Sequence, residues 1–431
     1  MKTVTPLRVV IKLGTSSIVD EETHEPMLST LENIVKTTLD LQKAGHKVII
    51  VSSGAIGIGL RRMKYEKRPK HSSKLQSLAA IGQCRLMSLW DQLFSKYDQP
   101  IAQILLTRND IADRNQYLNA QNTFRELLEI GVIPIVNEND TIAVSEIKFG
   151  DNDTLSAITA AMVHANYLFL MTDVDCLYDT NPRINVNARA IEVVDDLSAL
   201  DVDGMFLSTC NRDNLIAELL LLVVSSAGSS LGTGGMFTKI VAARLATSAG
   251  VTTIISRSST PGNITNIVGY LQSLKSQTPK LDSVMPLHTR FTASECPIKD
   301  RHFWILHGLK ARGTLYIDPG AYRALENRAG LFAVGVVGVE GNFVQLEAVR
   351  VVVVEREAKE KITEKINCCK ELENEVGRAL VNYSAIEIAR IKGFGSSDIE
   401  KILGYADSDY VALRENISLF KRRASIKHGA S

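Results

Sequence analysis

The sequence is poor in almost everything that would mark it for a special environment. Its six cysteines (Cys84, Cys176, Cys210, Cys296, Cys368 and Cys369) form no C-x-x-C pair and no regular framework. A chain of 431 residues can build its core without covalent staples. A disulfide scaffold is therefore excluded, and a reducing cytosol is the expected compartment. The eight histidines include no H-E-x-x-H or other paired spacing, which argues against a zinc enzyme. Charge of neither sign dominates: 49 basic residues face 48 acidic ones, so no global basicity points to nucleic acid. No apolar run reaches membrane length, since the longest, near Leu215 to Val224, is short and contains Glu218. The opening MKTVTPLRVVIKLGTSS places Lys12 inside its apolar run and lacks a small-residue cleavage site, so it does not read as a signal peptide.

What remains is an ordinary globular composition, 45% hydrophobic and 23% charged, long enough for about two or three domains. Up to about residue 285, strand-like runs (8–13, 47–51, 101–106, 131–136, 167–171 and 251–256) alternate with helical patterns (28–44, 74–94, 116–130, 154–165 and 235–249). That alternation predicts an α/β fold with a mainly parallel sheet between helical layers. After about Pro286 the character changes to short strands with glycine turns and little helix. The expected division is 1–285 for the first domain and 297–415 for a small β-rich second one, with 273–296 as the linker. The mixed-charge run 355–375 reads as a solvated helical face.

Polar residues collect at the carboxyl ends of the predicted strands: Lys12-Gly14, Ser53-Gly54, Asn137 to Asp140, and Thr172-Asp173. Open α/β sheets bind ligands along that edge, so these four motifs point to one cleft. The densest is NENDTIAVSEIKFGDND (137–153), with five carboxylates, three side-chain amides and one lysine. Each buried carboxylate must find a partner, which makes this poor core material but suitable walls for a small charged substrate. Asp153 falls at a helix start, where it could simply be a cap, and NEND could be a solvated turn. The loop LGTGGMFTK (231–239) precedes another helix; its glycines let backbone amides approach phosphate oxygens and Lys239 adds a positive charge. No Gly-Lys-Ser/Thr ends it, so it is not a Walker loop. Gly54, Gly57 and Gly59 run in the wrong order for a dinucleotide fingerprint, and the basic stretch 61–74 suits a solvated loop better than a nucleic-acid patch.

Taken together, VIKLGTS, VSSGAI, QILLTRND, IPIVNENDT, KFGDNDTLSA, LMTDVDCLY and GTGGMFTK, in this order and at compatible spacing, resemble the glutamate 5-kinases of the amino-acid kinase family. GTLYIDPGAYRAL and GVVGVEGNF are similar to a PUA module. The resemblance implies transfer of the ATP γ-phosphoryl group, with Mg²⁺ accompanying ATP, to the side-chain carboxylate of L-glutamate, the first step toward proline. It implies catalytic roles for Lys12, Asp153 and Lys239, with Asp153 organising the two lysines. Ser53, Asp140 and Asn152 would hold glutamate. Lys12, Thr172, Asp173, Thr233, Gly234, Gly235, Met236, Phe237, Thr238 and Lys239 would serve ATP. It further implies proline as a feedback inhibitor, a homo-oligomer, and a γ-glutamyl phosphate reductase as transient partner; no membrane association is expected. PUA modules elsewhere often bind RNA, but no concentrated basic or aromatic surface supports that here. The rival readings are another carboxylate kinase of the same family and a non-catalytic RNA-binding or proline-sensing protein. Retention of Lys12, Asp153 and Lys239 together argues against the latter.

One stretch departs from the resemblance: GMFLSTCNRDNLIAELLLLVV, 204–224, just before the glycine loop. Its apolar end must be buried or would expose a patch that soluble proteins avoid. It reads as a translated intron, since Gly-Met-Phe can be encoded with a donor-like GTATGT; the alternative is a genuine extra helix.

Overall fold

The computed structural model describes residues 6–20, 22–65, 67–143, 152–179, 182, 185, 187–195, 235–275, 285–354 and 375–420. The acidic segment 144–151, the insertion 204–224, Thr233 and Gly234, and the charged run 355–374 lie outside them. The described chain falls into two units, one up to residue 297 and one from 298 onward.

The first unit is built on the strands β1 (Arg8–Leu13), β2 (Lys47–Ser52), β3 (Ile101–Leu106), β4 (Ile133–Glu138) and β5 (Tyr167–Thr172). The short pair β6 (Leu177–Tyr178) and β7 (Ala190–Ile191) forms a separate ribbon. β8 (Val193–Val194), β9 (Thr252–Arg257) and β10 (Thr289–Phe291) complete an eight-stranded sheet in the order β3-β4-β2-β1-β5-β9-β10-β8. From β3 to β9 every pairing is parallel, and β10 runs antiparallel to β9. The α/β fold with a mainly parallel sheet is thus as expected. β10, however, lies within the stretch read as linker: three residues are too few to show a period of two, and only the edge of β9 reveals them as a strand.

The helices are α1 (Leu28–Lys43), α2 (Ala55–Arg62), α3 (Ser72–Ser95), α4 (Arg108–Ala112), α5 (Arg114–Glu129), α6 (Asn152–Met162), α7 (Met236–Ser248) and α8 (Asn263–Lys275). Strand side chains alternate, which sorts β1 into two faces. Val9, Ile11 and Leu13 enter a core with Leu31 and Ile34 of α1, Trp90 and Phe94 of α3, and Ile264 and Ile267 of α8. Arg8, Val10 and Lys12 therefore face the other way, where α6 lies against β1, β2, β4 and β5 and α7 packs on α6.

α2 is not among the helices expected from the sequence, and Gly54, Gly57 and Gly59 give it a low helix propensity. The structure gives these glycines a packing role. A Cβ at Gly59 would stand 2.1 Å from the carbonyl oxygen of Leu78, and one at Gly82 would stand 1.7 Å from that of Ala55. α2 and α3 thus meet backbone to backbone, and any side chain there would separate them. Gly54 has φ of 103°, a left-handed turn that L-residues resist, as β2 gives way to α2.

The second unit is a five-stranded sheet of β11 (Gly313–Ile317), β12 (Val336–Gly341), β13 (Ala348–Val353), β14 (Glu375–Leu380) and β15 (Ile417–Leu419), ordered β12-β11-β13-β14-β15. Its own core includes Leu315, Ile317, Val349, Val351, Ile388 and Ile399. The β-rich character is as expected, but the unit also holds helices at Pro319–Glu326, Ala385–Ile391 and Ser396–Leu403. The first follows from Asp318-Pro319: the Asp318 carboxylate accepts from the Ala321 amide at 2.7 Å and proline occupies the first turn. The second begins with the capping box of Ser384 and Glu387, a sequence signal readable in SAIE. Among the described residues no helix is long and apolar enough to cross a membrane.

Candidate active site

β1, β2, β4 and β5 are neighbours, so their carboxyl ends bring Lys12, Ser53, Asn137 and Thr172 onto one edge of the sheet. α6 starts at that edge, and Asp153 lies in its first turn, wholly buried. Such a carboxylate is tolerable only with partners. Lys12 Nζ stands 2.5 Å from Asp153 Oδ1, and Lys239 Nζ stands 3.4 Å from Oδ2. Thr238 Oγ1 donates to the same Oδ2 at 2.7 Å. Burial pushes the Asp153 carboxyl toward the neutral form, yet the two ammonium groups and the hydrogen bonds from Lys12 and Thr238 prevail and hold it down to about 2. The carboxylate is ionised at any physiological pH. Lys12 and Lys239 are themselves almost fully buried.

Lys239 reaches this point because α7 begins at Met236, after Gly235 in an extended conformation, and its first turn faces the start of α6. Two helix N-termini thus stand beside the three-charge cluster. Their positive dipole ends add to the attraction for an anion.

A second network lies beside the first. Asn152 Nδ2 donates to Ser53 Oγ at 2.7 Å and to Asn137 Oδ1 at 3.0 Å. Asn137 Nδ2 in turn donates to Gln83 Oε1 of α3 at 2.8 Å. Asn152 Oδ1 is buried and has no hydrogen-bond partner among the described residues, so one strong acceptor of this amide chain remains open. Asp140 is half-buried in the turn that follows β4. Thr172 is buried at the end of β5 and donates through Oγ1 to Asp173 at 3.1 Å, while Asp173 is exposed. Met236 is partly covered and Phe237 is 37% exposed.

Of the residues expected at the site, the structure joins Lys12, Asp153, Thr238 and Lys239 in one cluster and Ser53 with Asn152 in another. It gives a partner role to Asn137, expected at the cleft but without a role of its own, and it adds Gln83, which the sequence does not mark. Asn137 ends a buried strand row, and an amide in that position was the available signal. Gln83 lies on α3, more than 50 residues from its partner in sequence, and nothing local marks it.

The sequence pattern that defines the amino acid kinase family matches residues 7–256, and that of the PUA domain matches residues 313–403. The chain belongs to the amino acid kinase family. Within it, the chain is 51% identical over 411 residues to a Schizosaccharomyces pombe protein named "Probable glutamate 5-kinase", covering 94% of this chain and 92% of that one. It is 45% identical over 434 residues to an uncharacterized protein of Saccharomyces cerevisiae, covering 95% and 97%. A Rippkaea orientalis protein named "Glutamate 5-kinase" is 41% identical over 414 residues, covering 95% and 98%. Among amino acid kinases, then, the similarity runs through both units rather than the kinase region alone.

Proposed function

We propose that this chain is a glutamate 5-kinase, which transfers the γ-phosphoryl group of ATP to the side-chain carboxylate of L-glutamate and forms γ-glutamyl phosphate. The observation that carries the reading is the pair of buried ammonium groups held on one ionised carboxylate at the ligand-binding edge of the sheet. The accepting carboxylate is already ionised at neutral pH, so the reaction needs no strong base. Its difficulty is the approach of two anions, which positioning and opposing charge must overcome. Lys12 and Lys239 neutralise the phosphoryl oxygens as charge migrates to the leaving group, and Asp153 keeps both lysines in place before substrate arrives. Residues 235–239, Thr233 and Gly234 of the same loop, and Thr172 with Asp173 serve ATP.

Ser53, Asp140 and Asn152 hold glutamate. Asp140 pairs with the substrate ammonium, and the amide chain through Asn137 orients Asn152. Asp153 is committed to two lysines and is a poor candidate to ligate metal. The divalent cation, Mg²⁺, enters as part of the nucleotide substrate. The kinase chemistry is assigned to 1–285 and the second domain to 297–415. Proline competes at the glutamate site, and a reductase consumes the acyl phosphate.

The test is ATP turnover that depends on L-glutamate, with L-aspartate and N-acetylglutamate as controls and hydroxylamine to trap the acyl phosphate as its hydroxamate. Turnover with a control but not with glutamate would move the chain to another carboxylate kinase class. No turnover with any of them would support the binding-protein reading.

A further inference from the structure

The opposite, amino edge of the same sheet carries a cavity of about 230 Å³ that the phosphoryl chemistry does not use. Arg8, Lys47, Arg125 and Glu129 line it together with the buried Phe124 and Leu128. Arg8 and Lys47 open β1 and β2 and are register partners, so two cations stand side by side on one face of adjacent strands. Like charges so placed repel. Arg125 adds a third cation from α5, and Glu129 is the one carboxylate among the described lining residues.

A structural explanation covers only part of this. α5 and α6 both end at this edge, and cations suit the negative ends of helices. Arg8 does serve there, with Nη1 donating to the carbonyl of Val163 at 2.9 Å. The preceding carbonyl, Met162, is already met by Gln121 Nε2 at 2.8 Å. Among the described residues, Arg125 bonds only to the neutral amide of Asn122 within its own helix, at 2.7 Å. Among the described residues, none of Arg8, Lys47 and Arg125 forms an ion pair. Three cations around a cavity, with the imidazole of His164 beside them and one carboxylate among the described lining residues, make a receptor short of negative charge.

We propose that this cavity binds a small organic anion, whose carboxylate or phosphate group lies between Lys47 and Arg125 and whose carbon skeleton lies against the accessible edge of Leu128. The site is separate from the phosphoryl centre, and the proposal does not rest on the reaction assigned above. It does have a mechanical link to it. α6 is tied to β1 at both ends, by Arg8 to the Val163 carbonyl at this edge and by Lys12 to Asp153 at the other.

The experiment is calorimetric titration of the full chain with succinate and, separately, glycerol 3-phosphate, at fixed ionic strength and without ATP or glutamate. The wild type is compared with Lys47→Gln, Arg125→Gln and the double variant. Each lost charge-assisted hydrogen bond weakens binding about tenfold, so the double variant is expected to lose roughly a hundredfold. Variant-sensitive binding of succinate alone assigns a carboxylate ligand, and of glycerol 3-phosphate alone a phosphate ligand. Equal affinity in wild type and double variant would mean that the probes bind elsewhere, and no heat with either probe at millimolar concentration would mean that the cavity is not a receptor; both overturn the proposal. If the double variant fails to fold, the exposed Arg125→Gln decides alone, with an expected tenfold loss.

Discussion

The two edges of the first sheet solve the same electrostatic problem in opposite ways. At the carboxyl edge a fully buried carboxylate carries two lysines, and the cluster retains one net positive charge on groups almost wholly withdrawn from water. At the amino edge three cations gather in a partly open cavity with a single carboxylate among them. The first arrangement is rigid and preorganised, which suits a charge that develops only in a transition state. The second leaves its cations in contact with solvent, where the repulsion costs little, and suits a ligand that comes and goes. Burial, more than the number of charges, separates a site for chemistry from a site for binding.

The comparison breaks most visibly at Asp153. Asp153→Ala strands two buried ammonium groups, and removing one partner of a buried pair costs about 3–5 kcal/mol. Urea unfolding should show that loss, and a change below about 1 kcal/mol would mean that both lysines escape to water. The same carboxylate governs acid stability. Its folded value of about 2 lies below the ordinary 3.8, so its contribution is complete above pH 3.8 and is lost as pH falls through 2. Asp153→Asn should remove that part of the acid dependence from an unfolding series.

Next in size is Lys239→Ala. Loss of one preorganised charge donor costs about 3 kcal/mol, so kcat should fall about a hundredfold while the KM for glutamate changes little. Unchanged turnover would remove α7 from the catalytic machinery. A smaller effect belongs to the amide network: Asn152→Ala and Asp140→Asn should each raise the glutamate KM about tenfold, roughly the value of a hydrogen bond to a charged group, with the KM for ATP nearly constant. Parallel losses for both substrates would show that the glutamate pocket lies elsewhere.

The smallest effect is expected at the amino edge. In low-salt buffer without polyvalent anions, Lys47→Gln should stabilise the chain by about 0.2–1 kcal/mol through relief of the register pair. Added salt should erase the difference, because exposed charges are screened. A destabilised variant would mean that Lys47 has a structural partner after all.

How far the sequence revealed this molecule depended on how local each signal was. The parallel sheet and most of its helices were readable because RVVIKL, KVIIV and YLFLM are apolar runs ending at polar turns, and α1 carries its own period of 3.6. The grouping of the candidate site residues on one sheet edge was readable where a motif sat at a strand end, as with Lys12, Ser53 and Thr172. Asp153 was ambiguous, since a helix cap and a charge organiser look identical in sequence; only Lys12 and Lys239, far away along the chain, distinguish them. Gln83 was invisible because its role comes from α3 lying beside β4. β10 was too short to show a pattern, and α2 was hidden by the glycines that its contact with α3 requires.

That contact bears on how variation in this gene would be interpreted. A survey of substitutions scored by growth would mark Gly59 and Gly82 as intolerant as Lys12, because even alanine would collide with a neighbouring backbone. Scored by the amount of intact protein instead, the two classes would part: the glycine variants would disappear, while a lysine variant that still folds would accumulate, inert if the proposed role of Lys12 holds. An allele at either glycine is therefore expected to be recessive through absence. An allele at Lys12 that keeps the fold would leave an intact protein in the cell.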